Sequence, residues 1–197
     1  FILEDIAREF FPANLFQIAM ISGRAASKVI AEGDIHGLSF PGPVEVGRLV
    51  HAAAAQNLIP VQLELGGNNA VILNDTDDLD GAVTQIAGAA FQTGGQRCTA
   101  ISRVLVQKDL AAKASEILAS RAGAVTLGNG MTEGVQMGPL CNLPHWESVC
   151  ENTAKAISEG AKPLAGGGAA DGAGHEGGYF FKPTVLGSVE HDSTASQ

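Results

Sequence analysis

The sequence predicts an α/β protein built on a parallel, doubly wound sheet. Strand-like and helix-like segments alternate along its 197 residues, and short links between them are typical of βαβ units. Apolar runs bounded by glycine or proline predict the strands, and apolar residues three or four apart predict the helices. In such sheets ligands bind at the carboxyl ends of the strands, so functional residues are expected there.

In the first half, Ile2, Ile6 and Phe10 recur at four-residue spacing and predict one face of a helix, which Pro12 ends. The next predicted elements are a buried strand at 15–22, a helix at 25–32 ended by Gly33, a strand at 35–40, a helix at 44–56 and a strand at 61–65. The apolar face of the helix at 44–56 is predicted to consist of Val46, Leu49, Val50 and Ala53.

The second half continues the alternation. Its predicted elements are a strand at 70–74, a helix at 79–92, a strand at 103–107, helices at 109–123 and 143–160, a glycine-rich loop at 166–178 and an extended segment at 179–189. Acids at 75–80 favour a helix start, since they face the positive end of the helix dipole. They lack the glycine and final glutamate of a calcium-binding loop.

Composition excludes several classes of function. With 21 acidic and 12 basic side chains the net charge is −9, and no basic run offers a nucleic acid its phosphate contacts. No apolar stretch approaches the roughly 18 residues of a membrane span, and acids near the start argue against a signal peptide. The three cysteines are an odd number without metal-ligand spacing, which fits a reducing compartment. We therefore expect a soluble, cytoplasmic protein with no metal, no nucleic-acid partner and no membrane partner.

The first chemically distinctive stretch is LELGGNN, residues 63–69. Glu64 stands near the end of an otherwise apolar strand, and two glycines follow. A lone glutamate in this place is usually a solvated edge residue. The glycines favour a functional role, because they let a backbone or a ligand approach closely.

The second stretch is FQTGGQRCTA, residues 91–100, in which Cys98 follows a helix end in a glycine-rich loop. Most free cysteines behave as small buried hydrophobes. Here the neighbours Gln96, Arg97 and Thr99 are polar, so burial in an apolar core is not expected. A cation beside a loop thiol can favour the reactive thiolate, although the side chain of Arg97 could equally point away.

The two stretches together resemble the aldehyde dehydrogenase family. Glu64 and Cys98 are 34 residues apart, and DTDDLDGAV (75–83) lies between them as it does in that family. LSFPGP (38–43), MGPL (137–140) and GYFFKPTVL (178–186) resemble further family segments. The resemblance implies an aldehyde dehydrogenase-like fold, a small-molecule aldehyde substrate, NAD or NADP as cofactor, and a homo-oligomer for the full-length protein.

The resemblance also implies residue roles. Cys98 matches the cysteine whose thiolate attacks the aldehyde and whose backbone N–H helps to hold the oxyanion. Glu64 matches the base that activates water to hydrolyse the resulting thioester, and its presence disfavours relatives that form acyl-coenzyme A. Five further positions match residues at the cofactor, namely Gly42, Pro43, Gly47, Leu65 and Gly66.

Pro43 departs from the family pattern, which has a small hydroxyl residue there. Proline has neither a hydroxyl nor an N–H to donate, although it is well tolerated at the start of a helix. We expect weakened or reoriented phosphate contact at this helix end rather than none. The alternative is that Pro41, Gly42 and Pro43 form only a rigid turn.

By resemblance, residues 1–67 form the last part of an NAD(P)-binding domain, and residues 68–197 form most of a catalytic domain that is incomplete at its C-terminus. An internal fragment of this kind is expected to turn over little by itself. Two alternatives remain open. The chain could be a non-catalytic relic of the same fold, or it could oxidise an acidic semialdehyde, since GGNN and TGGQRCT resemble succinylglutamate semialdehyde dehydrogenases.

Overall fold

A computed structural model of the chain describes residues 1–172, 174–175 and 177–196. The chain divides into two compact units, Phe1–Leu65 and Gly66–Gln197. Six α-helices and six strands lie within the described residues, in an order that mixes the two types throughout. The predicted α/β class is therefore confirmed.

The first unit has three helices and one pair of strands. In chain order these are α1 (Ile2–Phe10), α2 (Gly23–Glu32), β1 (Leu38–Gly42), α3 (Val44–Ala55) and β2 (Val61–Leu65). β1 and β2 are parallel neighbours, with Leu38 opposite Val61 and Gly42 opposite Leu65. α3 connects them, as the predicted βαβ pattern requires.

A small core lies under α2 and α3. Ile30, Ala54 and Ile59 are buried there, and Ala54 is fully inaccessible to solvent. The side-chain amide of Asn57 donates to the carbonyls of Ile30 (3.2 Å) and Ala31 (3.0 Å) at the end of α2, where the Ile30 carbonyl also accepts from the backbone N–H of Gly33. Burial and capping thus fix α2 against the segment that follows α3.

One prediction for this unit is wrong, and another is right only in part. Residues 15–22 form no strand, and Leu15 (67% exposed) and Met20 (81% exposed) face solvent. A strand needs a hydrogen-bonded neighbour, and no described residue pairs with this run. The predicted apolar face of α3 is right for Val50 and Ala53, which pack against this core, and wrong for Val46 and Leu49, which are exposed. Gly47 and Ala54 are the buried residues of the helix, so its buried face includes Gly47 in place of Val46.

The second unit contains two further strand pairs. Its elements are β3 (Asn69–Leu73), α4 (Leu79–Phe91), a 3₁₀ turn (Gln92–Gly95), β4 (Ile101–Val106), α5 (Lys108–Gly123), α6 (Leu143–Ser158), β5 (Lys162–Ala165), β6 (Val185–Gly187) and a 3₁₀ turn (Thr194–Ser196). β3 and β4 are parallel and joined by α4, whereas β5 and β6 are antiparallel. Leu73, Val83 and Ala114 form the core between β3, α4 and α5.

The helices of this unit agree with their predicted positions to within two residues. β5 was not predicted, because Pro163 lies inside it and proline rarely occupies a strand interior. The extended segment predicted at 179–189 contains only three residues of strand, with a further bridge between Phe181 and Ala169. Within the predicted loop at 166–178, positions 173 and 176 lie outside the described residues.

Two negative findings apply to the part of the chain that the structure describes. No helix there combines the length and the apolar character that crossing a bilayer requires. No group of three or more histidine, cysteine, aspartate or glutamate side chains comes together there as a metal centre.

Candidate active site

The thiol of Cys98 is exposed to solvent, in a turn between the end of α4 and β4. Three consecutive residues with positive φ bring the chain into this turn: Thr93 (φ 59°), Gly94 (φ 64°) and Gly95 (φ 71°). Glycine adopts this conformation freely, but a β-branched residue such as threonine rarely does. Strained backbone of this kind is often found at functional sites.

Side-chain amides hold the turn on both sides of the thiol. The Asn69 amide nitrogen donates to the carbonyl of Cys98 (2.6 Å) and to that of Ala100 (3.0 Å). Gln96 donates to the Thr93 carbonyl (3.1 Å) and accepts from the backbone N–H of Cys141 (2.9 Å). The thiol is thus exposed on a tethered loop.

Sequence reasoning did not assign roles to Asn69 or Gln96. Both lie in the two stretches that it singled out, and the available signal was an amide within two residues of a glycine pair. Their partners, however, are distant in the sequence: Asn69 is 29 residues from Cys98, and Gln96 is 45 residues from Cys141. Local spacing could not have identified these contacts.

Arg97 binds within its own loop. Its Nη1 donates to Oε1 of Gln92 at 2.7 Å. This hydrogen bond gives one guanidinium nitrogen a partner, and it links Arg97, the residue before Cys98, to the start of the 3₁₀ turn. Within the part of the chain that the structure describes, the side chain of Arg97 bonds Gln92 and not the thiol.

Glu64 lies in the first unit, one residue before the end of β2, and its side chain is exposed. Its Oε1 accepts a hydrogen bond of 2.8 Å from Nε2 of Gln62, two residues earlier on the same face of the strand. This contact restricts the carboxylate to one side of β2. Glu64 and Cys98 belong to different compact units.

Four of the predicted cofactor residues meet where β1 and β2 end and α3 begins. Gly42 is opposite Leu65 across the strand pair. Pro43 is the N-cap of α3, with φ −64° and ψ 145°, and its carbonyl accepts from the N–H of Gly47 at 2.9 Å. No side chain among the described residues caps this helix end.

Close packing favours glycine at both glycine positions of this cluster. A Cβ on Gly42 would lie 2.4 Å from Cζ of Phe40, so the aromatic ring would have to move. A Cβ on Gly47 would lie 2.7 Å from Cδ2 of Leu65. Gly47 therefore lets α3 approach the end of β2, which is one of the known uses of a glycine in nucleotide-binding βαβ units.

Gly66, the fifth predicted cofactor residue, is the first residue of the second unit and is exposed. A Cβ built on it meets nothing within 4 Å. The packing of the described residues does not require a glycine there.

The other two cysteines differ from each other in exposure, and only Cys150 contrasts with Cys98. Cys141 is exposed, whereas Cys150 lies half-buried on α6. Burial raises the pKa of the Cys150 thiol, and the nearby carboxylates of Asp171, Glu147 and Glu151 raise it further. Cys150 is therefore a poor nucleophile at neutral pH.

The sequence matches the aldehyde dehydrogenase family over residues 1–197. This chain belongs to that family. A semialdehyde dehydrogenase relative, the α-ketoglutaric semialdehyde dehydrogenase of Bacillus subtilis (strain 168), is 32% identical over 94% of this chain and 38% of its own length. The NADP⁺-dependent succinate-semialdehyde dehydrogenase of Escherichia coli (strain K12) is 34% identical, with the same two coverages.

Among solved aldehyde dehydrogenases, the chain is similar to the betaine aldehyde dehydrogenase of Staphylococcus aureus, determined with NAD⁺. That structure superposes with a TM-score of 0.91 at 29% identity, and the match covers 100% of this chain and 39% of that one. The chain thus spans about two fifths of the length of the aldehyde dehydrogenases it matches.

Proposed function

We propose that this chain contributes the nucleophile and the general base of an NAD(P)-dependent aldehyde dehydrogenase that releases a carboxylic acid. The observation that carries the proposal is the exposed thiol of Cys98 on a loop tethered by Asn69 and Gln96. An exposed, held thiol suits a nucleophile that must meet a small carbonyl compound. Membership of the family supplies the reaction class.

In the proposed reaction, the sulfur of Cys98 adds to the aldehyde carbon and forms a C–S bond, while negative charge develops on the oxygen. The backbone N–H of Cys98 stabilises that charge. NAD⁺ or NADP⁺, when bound, supplies the hydride acceptor for the oxidation. Glu64 then takes a proton from a water molecule, whose oxygen displaces the thiol from the thioester and releases the acid.

The first turn of α3 fits the phosphates of such a nucleotide. Its N–H groups have no carbonyl partner one turn earlier, and the helix dipole favours an anion at this end. Gly42 allows close approach, whereas Pro43 offers no N–H and Glu45 adds a negative charge to the same turn. We propose that residues 1–67 belong to the nucleotide-binding domain and 68–197 to the catalytic domain.

The test measures formation of reduced nicotinamide by the purified protein with NAD⁺ or NADP⁺ and an aldehyde. Cys98→Ala is expected to abolish turnover. Glu64→Gln is expected to give a burst of about one equivalent and then stop, because the thioester forms but is not hydrolysed. Cys141→Ser, which alters another exposed thiol, is the matched control and should keep its turnover.

Steady turnover by Cys98→Ala would refute the proposal. Because a chain of this length is expected to turn over little by itself, the decisive result for the wild-type protein is acyl-enzyme formation at Cys98, and its absence would refute the proposal and support a non-catalytic role. The substrate class is tested with two aldehydes that appear in the names of relatives. Succinate semialdehyde carries a negative charge and betaine aldehyde a positive one. Two of the relatives act on semialdehydes, so we propose an acidic semialdehyde as the second candidate. Its kcat/KM should then exceed that of betaine aldehyde.

A further inference from the structure

Asn69 is the residue of the LELGGNN stretch with the most direct contact to the thiol loop. It is the first residue of β3, opposite Ile101, and the register of the strand pair shifts immediately after it. Its side-chain amide nitrogen donates hydrogen bonds to the carbonyl of Cys98 (2.6 Å) and to that of Ala100 (3.0 Å). Both ends of the short turn 98–100 are therefore held by one side chain.

These two bonds restrict the backbone on which the nucleophile stands. A fixed Cys98 carbonyl fixes the plane of the peptide between Cys98 and Thr99. It thereby fixes the backbone angle ψ of Cys98. Fixing the Ala100 carbonyl prevents the turn from rotating as a whole. A primary amide suits this task, because its two hydrogens can serve two acceptors at once, whereas a carboxylate has none to donate.

The segment that carries Asn69 is itself anchored. The Ser102 hydroxyl donates to the side-chain oxygen of Asn68, and Nη2 of Arg103 donates to the Asn68 carbonyl at 2.5 Å. The other arm of the Arg103 guanidinium, Nη1, reaches the carbonyl of Ser196 (3.1 Å). Asn69 therefore holds the thiol loop from a segment that is itself bonded to β4 and, through Arg103, linked to the carbonyl of Ser196.

We propose that Asn69 is a positioning residue that aims the backbone N–H and the sulfur of Cys98 for addition to a carbonyl group. This inference rests on the proposed function, because it assumes that Cys98 is the nucleophile. It makes a distinctive prediction. Addition to a carbonyl creates an oxyanion that needs an oriented donor, whereas alkylation by iodoacetamide creates none. Loss of Asn69 should therefore slow acylation far more than alkylation.

The experiment uses the purified protein with Asn69→Asp and Asn69→Ala. Asn69→Asp keeps the size and shape of the side chain, so it remains informative if Asn69→Ala folds poorly. Acylation is followed by the burst of p-nitrophenolate from p-nitrophenyl acetate, and alkylation of Cys98 by peptide mass spectrometry. We expect acylation to fall about 10- to 100-fold, with the KM for aldehyde changed less than about twofold. Alkylation should change less than about threefold.

Asn57→Ala is the matched control, since the amide of Asn57 also donates to two backbone carbonyls, those of Ile30 and Ala31. It removes the same kind of contact in the other unit, so it should lower stability without separating the two rates. The proposal is overturned if either Asn69 variant acylates within twofold of wild type. Equal losses of acylation and alkylation would also overturn it, since they indicate a purely structural role. A wild-type protein that forms no acyl-enzyme at Cys98 would refute the proposed function, and the positioning role with it.

Discussion

Gly47 offers a quantitative test of how α3 is seated on β2. It is buried within α3, and an added Cβ would lie 2.7 Å from Cδ2 and 3.2 Å from Cδ1 of Leu65. Ordinary carbon contacts are about 3.5–4.0 Å. The substitution Gly47→Ala therefore overlaps one methyl group by about 1 Å, and either the leucine or the helix must move.

The magnitude follows from two opposing effects. Alanine in place of glycine inside a helix stabilises it by about 1 kcal/mol. Overpacking of a filled site destabilises by about 1–3 kcal/mol, and we take about 2 kcal/mol here rather than the upper end, because Leu65 is half-buried and its methyls are the mobile end of the side chain. We expect Gly47→Ala to lower the free energy of unfolding by about 1 kcal/mol.

A double-mutant cycle isolates the contact. In a Leu65→Ala background the overlapping methyls are gone, so Gly47→Ala should stabilise by the helix term of about 1 kcal/mol. The sign of its effect thus reverses between backgrounds, which is a coupling of about 2 kcal/mol. The assay is urea unfolding of the four proteins, with free energies extrapolated to water.

Gly88→Ala is the control for helix propensity. Gly88 lies inside α4, and its added Cβ meets nothing within 4 Å. It should stabilise by about 1 kcal/mol in either background. If the effects of Gly47→Ala and Leu65→Ala add within about 0.5 kcal/mol, the close approach of α3 to β2 does not depend on Gly47 and the reasoning is wrong.

Three further outcomes follow from local contacts. Gly166→Ala should lower the free energy of unfolding by about 3 kcal/mol and Tm by about 6–12 °C, because Gly166 has φ +66° and its Cβ would lie 2.2 Å from a backbone oxygen. Calorimetry showing an unchanged Tm would contradict this. The backbone N–H and the hydroxyl of Thr194 bond Glu159 and hold its pKa below the ordinary value of 4.5, so this stabilisation exists above that pH and disappears as the pH falls through the lowered pKa. The Tm advantage of wild type over Glu159→Gln should therefore shrink in acid, whereas a constant difference across pH would count against it. Cys150 should alkylate more slowly at neutral pH than the two exposed thiols, with its rate still rising at higher pH, because burial and nearby carboxylates raise its pKa. Equal rates by peptide mass spectrometry would rule this out.

The sequence predicted those elements whose signals are local. α4 follows an acidic stretch in which Asp78 caps the helix, accepting from the N–H of Gly81 at 2.9 Å. α2 ends at Gly33, which adopts the left-handed conformation (φ 76°) that glycine favours. Caps and helix ends are set by residues within one turn of each other, so their identity is visible in sequence.

Elements that depend on distant partners were harder to predict. The apolar run at 15–22 has the composition of a strand, but a strand forms only where another offers its hydrogen bonds. β5 forms despite Pro163 because β6 pairs with it in the antiparallel sense. The bonds of Asn69 follow the same rule: the sequence marked the stretch that contains it, but its contact with the Cys98 loop depends on the pairing of β3 with β4, which brings Asn69 beside Ile101.

The glycines of the candidate site show how structure changes the meaning of a motif. Family resemblance gives Gly47 and Gly66 the same role, proximity to the cofactor. In the structure, the methyls of Leu65 occupy the space where a side chain on Gly47 would lie, so packing alone already favours glycine there. Around Gly66 the space is open. Substitution of Gly66 would therefore test nucleotide binding without disturbing the packing of the described residues. Substitution of Gly47 would disturb the packing of α3 on Leu65 as well, so Gly66 is the sharper probe of nucleotide binding.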